Sequence, residues 1–143
     1  MHEALAKANF ERDARFLTPR FLEASGWALH QSSFPVLEAT FNKASRPLRI
    51  RLMCNDWDEL PPSIELLNPD GSHMMAGIPG GAFHPGPHRD TGRPFICMRG
   101  AREYHTHESH QNDLWGTYRP LSGMNLPGIM TQLDNAWRKA VGV

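Results

Sequence analysis

An α+β domain is predicted, with helices flanking an antiparallel sheet. Apolar residues recur at roughly helical spacing near both ends of the chain. Three short alternating runs joined by turns lie between residues 36 and 67. A Gly- and Pro-dense stretch over residues 69–100 excludes long regular elements there.

The first element is a helix over residues 2–24, with Leu5, Ala8, Phe16, Leu17, Phe21 and Leu22 spaced between charges. Pro19 marks a break or a second start near Thr18, and Gly26 is a plausible stop. From Trp27 the pattern turns to alternation. Leu37, Ala39 and Phe41 oppose Val36, Glu38, Thr40 and Asn42, which reads as a strand. After the Ser45-Arg46-Pro47 turn, a second strand places Leu48, Ile50, Leu52 and Cys54 on one face. A connector over Asp56–Pro62 leads to a third strand, Ser63–Leu67, closed by the turn residues Asn68-Pro69-Asp70-Gly71. Three successive strands with tight connections form an antiparallel meander. At the far end Asn125 can cap a helix that carries Leu126, Ile129, Met130, Leu133 and Trp137.

The 143 residues suit one domain spanning the whole chain, residues 1–143. The balance of 15 basic against 15 acidic residues gives no basic footprint for nucleic acid. No apolar run has the roughly 18 residues of a membrane span, and the first residues lack the pattern of a secretory signal. Cys54 and Cys97 are the only cysteines, which argues for a reducing compartment and a cytoplasmic location. The bias of twelve Arg to three Lys suits bidentate protein contacts, and base composition would give the same ratio.

The chemistry concentrates late in the chain. Twelve of the 24 Gly and Pro residues fall between 69 and 100, and a long irregular segment inside a compact domain is more often functional than accidental. Phe83, Phe95, Ile96 and Met98 within it call for burial. Six of the eight histidines (His73, His84, His88, His105, His107 and His110) lie between 73 and 110, with Cys97 among them. One chemistry for this set is nucleophilic, with a thiolate supported by a nearby imidazole. Another is zinc ligation by some of His84, His88, His105, His107 and His110. No Cys-x-x-Cys or His-Glu-x-x-His motif accompanies them. Any one histidine can equally be a solvated loop residue. Cys54 sits on the apolar face of a strand and reads as a small buried hydrophobe, whereas Cys97 ends an irregular segment and reads as reactive.

Several segments, in order, resemble a ubiquitin-conjugating (E2-like) domain, in particular the divergent bacterial members. Trp57-Asp58-Glu59-Leu60-Pro61-Pro62-Ser63-Ile64-Glu65-Leu66 is similar to the family's Tyr-Pro-x-x-Pro-Pro segment running into a strand. Phe83-His84-Pro85 resembles the start of the His-Pro-Asn element, and Gly92-Arg93-Pro94-Phe95-Ile96-Cys97-Met98 the segment that carries the active cysteine. The resemblance covers most of the chain. It departs at Gly86, where the family has Asn, and in the spacing of 13 residues from His84 to Cys97, a few more than usual. Trp115 stands where the family's post-cysteine tryptophan would fall, after a histidine-rich insertion.

The resemblance implies a UBC-like fold and acyl transfer through a thioester. An E1-like adenylyltransferase would present a ubiquitin-like protein, Cys97 would accept it, and an acceptor protein's amine would take it. No cofactor, nucleic acid or membrane is implied. The family Asn supports the oxyanion, and losing one such donor typically costs about 10²–10³ in rate, so a histidine is expected in its place. His105 and His107 are the first choices, on a short tether after the cysteine, with His88 and His110 behind them. His84 and Pro85 are expected to order the loop, and Arg12, Arg15 and Arg20 on the first helix lie where a family member meets its activating enzyme. Such bacterial proteins are associated with gene clusters that include antiviral defence. The alternatives are a histidine-rich zinc protein or hydrolase, and a non-catalytic E2-like adaptor.

Overall fold

The structure, a computed structural model, describes residues 1–143. The elements in order are α1 (Glu3–Ala14), α2 (Pro19–Ser25), β1 (Trp27–Ser33), β2 (Val36–Phe41), β3 (Leu48–Met53), β4 (Ser63–Leu67), β5 (Phe83–His84), β6 (Phe95–Ile96), α3 (Arg102–Thr106), α4 (Trp115–Tyr118) and α5 (Leu126–Val141). A 3-10 turn, Glu108–His110, lies between α3 and α4. No helix is long and apolar enough to cross a membrane.

The α+β class is as expected, with an antiparallel sheet and helices at both ends. The N-terminal helical segment is two helices, divided at the Pro19 break that the sequence marks. Pro19 lacks the N–H that an uninterrupted helix would need, so the chain restarts there with Thr18 capping Phe21 N–H and Gly26 closing in the left-handed region. The meander has four strands, in the order β1-β2-β3-β4. Its extra member, β1, pairs Trp27 with Phe41 and Ser33 with Val36. Its second half is exposed and polar, so alternation does not reveal it.

The inward face follows the sequence pattern. Leu37, Ala39 and Phe41 from β2, Leu48, Ile50 and Leu52 from β3, and Ile64 and Leu66 from β4 are buried together, and the apolar stripe of α5 joins the same core. Two buried carboxylates fasten the helices to this core through indole donors. Asp13 accepts from Trp57 Nε1 (2.9 Å) and Leu126 N (3.1 Å), and Asp134 accepts from Trp27 Nε1 (2.8 Å). The outer face carries charge in register, with Glu38 between Arg49 and Arg51.

The Gly/Pro-rich stretch is not wholly irregular. Two-residue strands β5 and β6 pair through Phe83–Ile96 and His84–Phe95, and Phe83, Phe95 and Ile96 are fully buried. Phe83 packs edge-on against Trp137 of α5 at 5.0 Å between centroids. This small hairpin therefore docks on the main core and fixes the residue that follows it, Cys97.

Candidate functional site

Cys97 leaves β6 with its N–H donated to Ala82 O at 2.6 Å, which continues the hairpin ladder by one bond. Its side chain is half-buried, whereas Cys54 is 1% exposed in the core. Both thiols are pushed up by burial, Cys54 far more. Cys54 is thus the inert hydrophobe its strand position predicts. Cys97 Sγ lies 3.4 Å from Nε2 of His110. Since burial opposes ionisation, deprotonation of this thiol calls for a base at contact distance, and His110 stands there.

The 3-10 turn brings His110 to the sulfur. His107 precedes it as the turn's cap, its Nδ1 accepting from Ser109 N at 3.2 Å and its carbonyl from His110 N at 2.9 Å. The His110 ring lies flat on Tyr104 of α3, 4.1 Å between centroids and 16° from parallel. The His107 ring stacks on Phe95 at 5.5 Å and stands 5.8 Å from His110. Its Nε2 has no protein partner.

The other predicted histidines occupy different positions. His105 donates from Nδ1 to Asp113 O (2.7 Å) and accepts at Nε2 from Gly100 N (3.1 Å), so both nitrogens serve the backbone as a neutral ring. Burial lowers its pKa in agreement with that role. His88 is 2% exposed. It accepts at Nδ1 from Asp90 N (3.1 Å) and donates from Nε2 to Glu103 O (2.9 Å). Neither nitrogen of either ring faces the sulfur. His84 is exposed beside Pro85, stacks on Phe95, and accepts at Nδ1 from Gly86 N (2.9 Å), which orders the turn it begins. His73 pairs with Glu65 at the edge of the sheet, away from this cluster.

Gly86 occupies a position closed to any side chain. Its φ is +70°, and a Cβ would come within 2.7 Å of Arg93 O and 2.9 Å of His88 N. The segment between His84 and Cys97 folds back through His88 N to Arg93 O (3.0 Å) and Gly92 N to His88 O (2.7 Å), filling the space a side chain would need. Trp115 is buried against Trp57 and donates to Asp58 O at 2.9 Å, tying the post-cysteine segment to the connector before Pro61-Pro62. Of the three arginines on the first helical segment, Arg12 pairs with Asp13 and Asp58.

No three His, Cys, Asp or Glu side chains are grouped as metal ligands. His84, His88, His105, His107 and His110 are spread along stacked rings and backbone bonds instead of converging on a point.

Sequence reasoning did not foresee the roles of Tyr104 and Asp113. The phenols of Tyr104 and Tyr118 and the Arg99 guanidinium (3.0 Å) all donate to the Asp113 carboxylate. The four residues are far from any motif spacing, and only the fold collects them. No protein-family model matches the chain, and no curated protein matches its sequence.

Proposed function

We propose that this chain is a UBC-like acyl carrier, in which Cys97 accepts a ubiquitin-like protein as a thioester and His110 serves as its base. The observation that carries the reading is the half-buried Cys97 sulfur held 3.4 Å from an imidazole at the end of a docked hairpin. The order of elements supports it: an N-terminal helix, an antiparallel four-strand meander, Pro61-Pro62 leading into β4, and the cysteine after an ordered His84-Pro85 turn.

In the loading step Cys97 Sγ attacks the thioester carbonyl presented by an E1-like adenylyltransferase, and its proton passes to His110 Nε2. The activating enzyme's thiolate leaves and takes that proton back, so one thioester replaces another. In discharge an acceptor amine attacks the Cys97 thioester, its proton passes to His110, and the Cys97 thiolate leaves and is reprotonated. The family's Asn has no counterpart at Gly86. His107, stacked on Phe95 with Nε2 unengaged, is the donor available to a developing oxyanion.

The test is incubation with the activating enzyme, ATP and the ubiquitin-like protein of the same gene cluster. A reductant-sensitive adduct forms on the wild type and on Cys54→Ala, and is lost in Cys97→Ala. His110→Ala loads slowly, and His107→Ala loads normally but discharges slowly. No adduct on the wild type, or an adduct surviving Cys97→Ala, refutes the carrier. Unchanged biological function in Cys97→Ala identifies a non-catalytic adaptor. Stoichiometric zinc lost in His107 and His110 variants identifies a metal protein.

A further inference from the structure

His110 reaches Cys97 from a segment with little regular structure, a single 3-10 turn between two short helices. Nothing in that turn itself holds the imidazole at a fixed angle, and its Nδ1 has no protein partner. The ring is held from its face by Tyr104. The Tyr104 phenol donates to Asp113, and the same carboxylate takes the Tyr118 phenol and Arg99 Nε. The Asp113 backbone is equally engaged: its N–H donates to His110 O at 2.9 Å, and its carbonyl accepts from His105 Nδ1 at 2.7 Å. One residue thus grips the main chain of His110, the ring on which His110 rests, and the ends of α3 and α4.

We propose that Asp113, which touches neither the sulfur nor the imidazole, is the positioning residue of the Cys97–His110 pair and acts on it through the Tyr104 ring. The inference rests on the reading of that pair as the reactive centre, and not on which acyl group it carries. The electrostatics agree with the geometry. The two phenols and Arg99 hold the Asp113 carboxyl well below the usual carboxylate range, and both phenols are pushed up. Every bond in the hub therefore keeps one donor and one acceptor throughout the range in which an imidazole works. A positioned base should lose rate steeply when its support goes, since a misplacement of about 1 Å can cost about 10²-fold. The groups facing His110 are Cys97 from the end of β6, Tyr104 and His105 from α3, and His107 from its own turn, with Arg99 beyond Asp113. Apart from the phenol that Tyr104→Phe removes, these groups are present in every variant at Asp113 and Tyr104 below.

The test needs no partner protein. Cys97 in the full chain is alkylated with iodoacetamide from about pH 5.5 to about pH 9, which spans the ordinary imidazole and thiol pKa values. His110→Ala defines the rate without a base, with a single thiol-like limb. Asp113→Ala is expected to lower the rate at neutral pH by about tenfold and to shift the profile towards that of His110→Ala. Asp113→Asn, which keeps the backbone bonds and one acceptor oxygen, and Tyr104→Phe, which keeps the stacked ring and removes the hub bond, should fall between. These two conservative variants decide the matter if Asp113→Ala does not fold. Wild-type profiles in Asp113→Asn and Tyr104→Phe, with His110→Ala impaired, overturn the positioning role and leave the pair standing. A wild-type profile in His110→Ala overturns the pair and this inference with it, while thioester loading on Cys97 reports separately on the carrier.

Discussion

Glu103 is a buried carboxylate on which the start of β4 depends. It is 4% exposed, on α3 one residue before Tyr104. Its Oε1 accepts the backbone N–H of Ile64 at 2.8 Å, and its Oε2 accepts Ser63 Oγ at 2.6 Å. It thereby closes the start of β4, just after Pro61-Pro62, where the chain cannot supply a ladder bond of its own. Glu103→Ala leaves the Ile64 N–H buried without an acceptor, which costs about 1–3 kcal/mol. The Ser63 hydroxyl is part-buried and can turn towards water, so its loss adds only about 1 kcal/mol. The vacated methylene adds about 0.8 kcal/mol. Relief of the carboxylate's own desolvation offsets part of this, which leaves about 3 kcal/mol, a large share of the 5–15 kcal/mol typical of a domain. Glu103→Gln keeps the shape and one acceptor oxygen and should lose about half as much. Urea unfolding followed by tryptophan fluorescence measures both. A loss under about 1 kcal/mol in Glu103→Ala, or a greater loss in Glu103→Gln than in Glu103→Ala, would refute the view that a buried N–H depends on this carboxylate.

The native protein should react with a thiol reagent at one cysteine and at both in guanidinium, because burial raises the Cys54 thiol and seals it in the core; two fast thiols in the native state would contradict this. His105 has a lowered pKa in the fold, so its contribution to stability is complete above the unfolded value of about 6.5 and is lost as pH falls below that value through the lower folded one. Melting temperature should therefore drop from pH 8 to pH 5 in the wild type, and this slope should flatten in His105→Asn. Gly86→Asn should destabilise the protein by about 2 kcal/mol or more, because a positive φ and a clash with Arg93 O are imposed together. If the chain is the proposed carrier, this variant should fail to speed thioester discharge; faster discharge would show that the loop can reopen.

Much of the fold was legible because its elements bury one face. β3 reads directly from Leu48, Ile50, Leu52 and Cys54, and α5 from Leu126 through Trp137 after the Asn125 cap. β1 was hidden because His30, Gln31, Ser32 and Ser33 face solvent and give no alternation. The short helices α3 and α4 are too brief for a period to show. In the site, Cys97 could be told from Cys54 by context alone. The choice among the imidazoles could not, since a tether's length does not say which way a ring turns.

What the backbone requires distinguishes the rings. His105 and His88 lie closer in sequence to Cys97 than His110 does, yet each is consumed by two main-chain groups that would otherwise be left unpaired: Gly100 N and Asp113 O for one, Asp90 N and Glu103 O for the other. A ring with both nitrogens committed cannot take up and release a proton without breaking a bond the fold needs. His110 is positioned by stacking on Tyr104, and His107 by stacking on Phe95 together with one backbone bond at Nδ1, so each ring keeps a nitrogen that no main-chain group takes. Aromatic support fixes orientation while leaving at least one nitrogen free, and in the proposed carrier this separates the histidines able to move a proton from those that hold the loop.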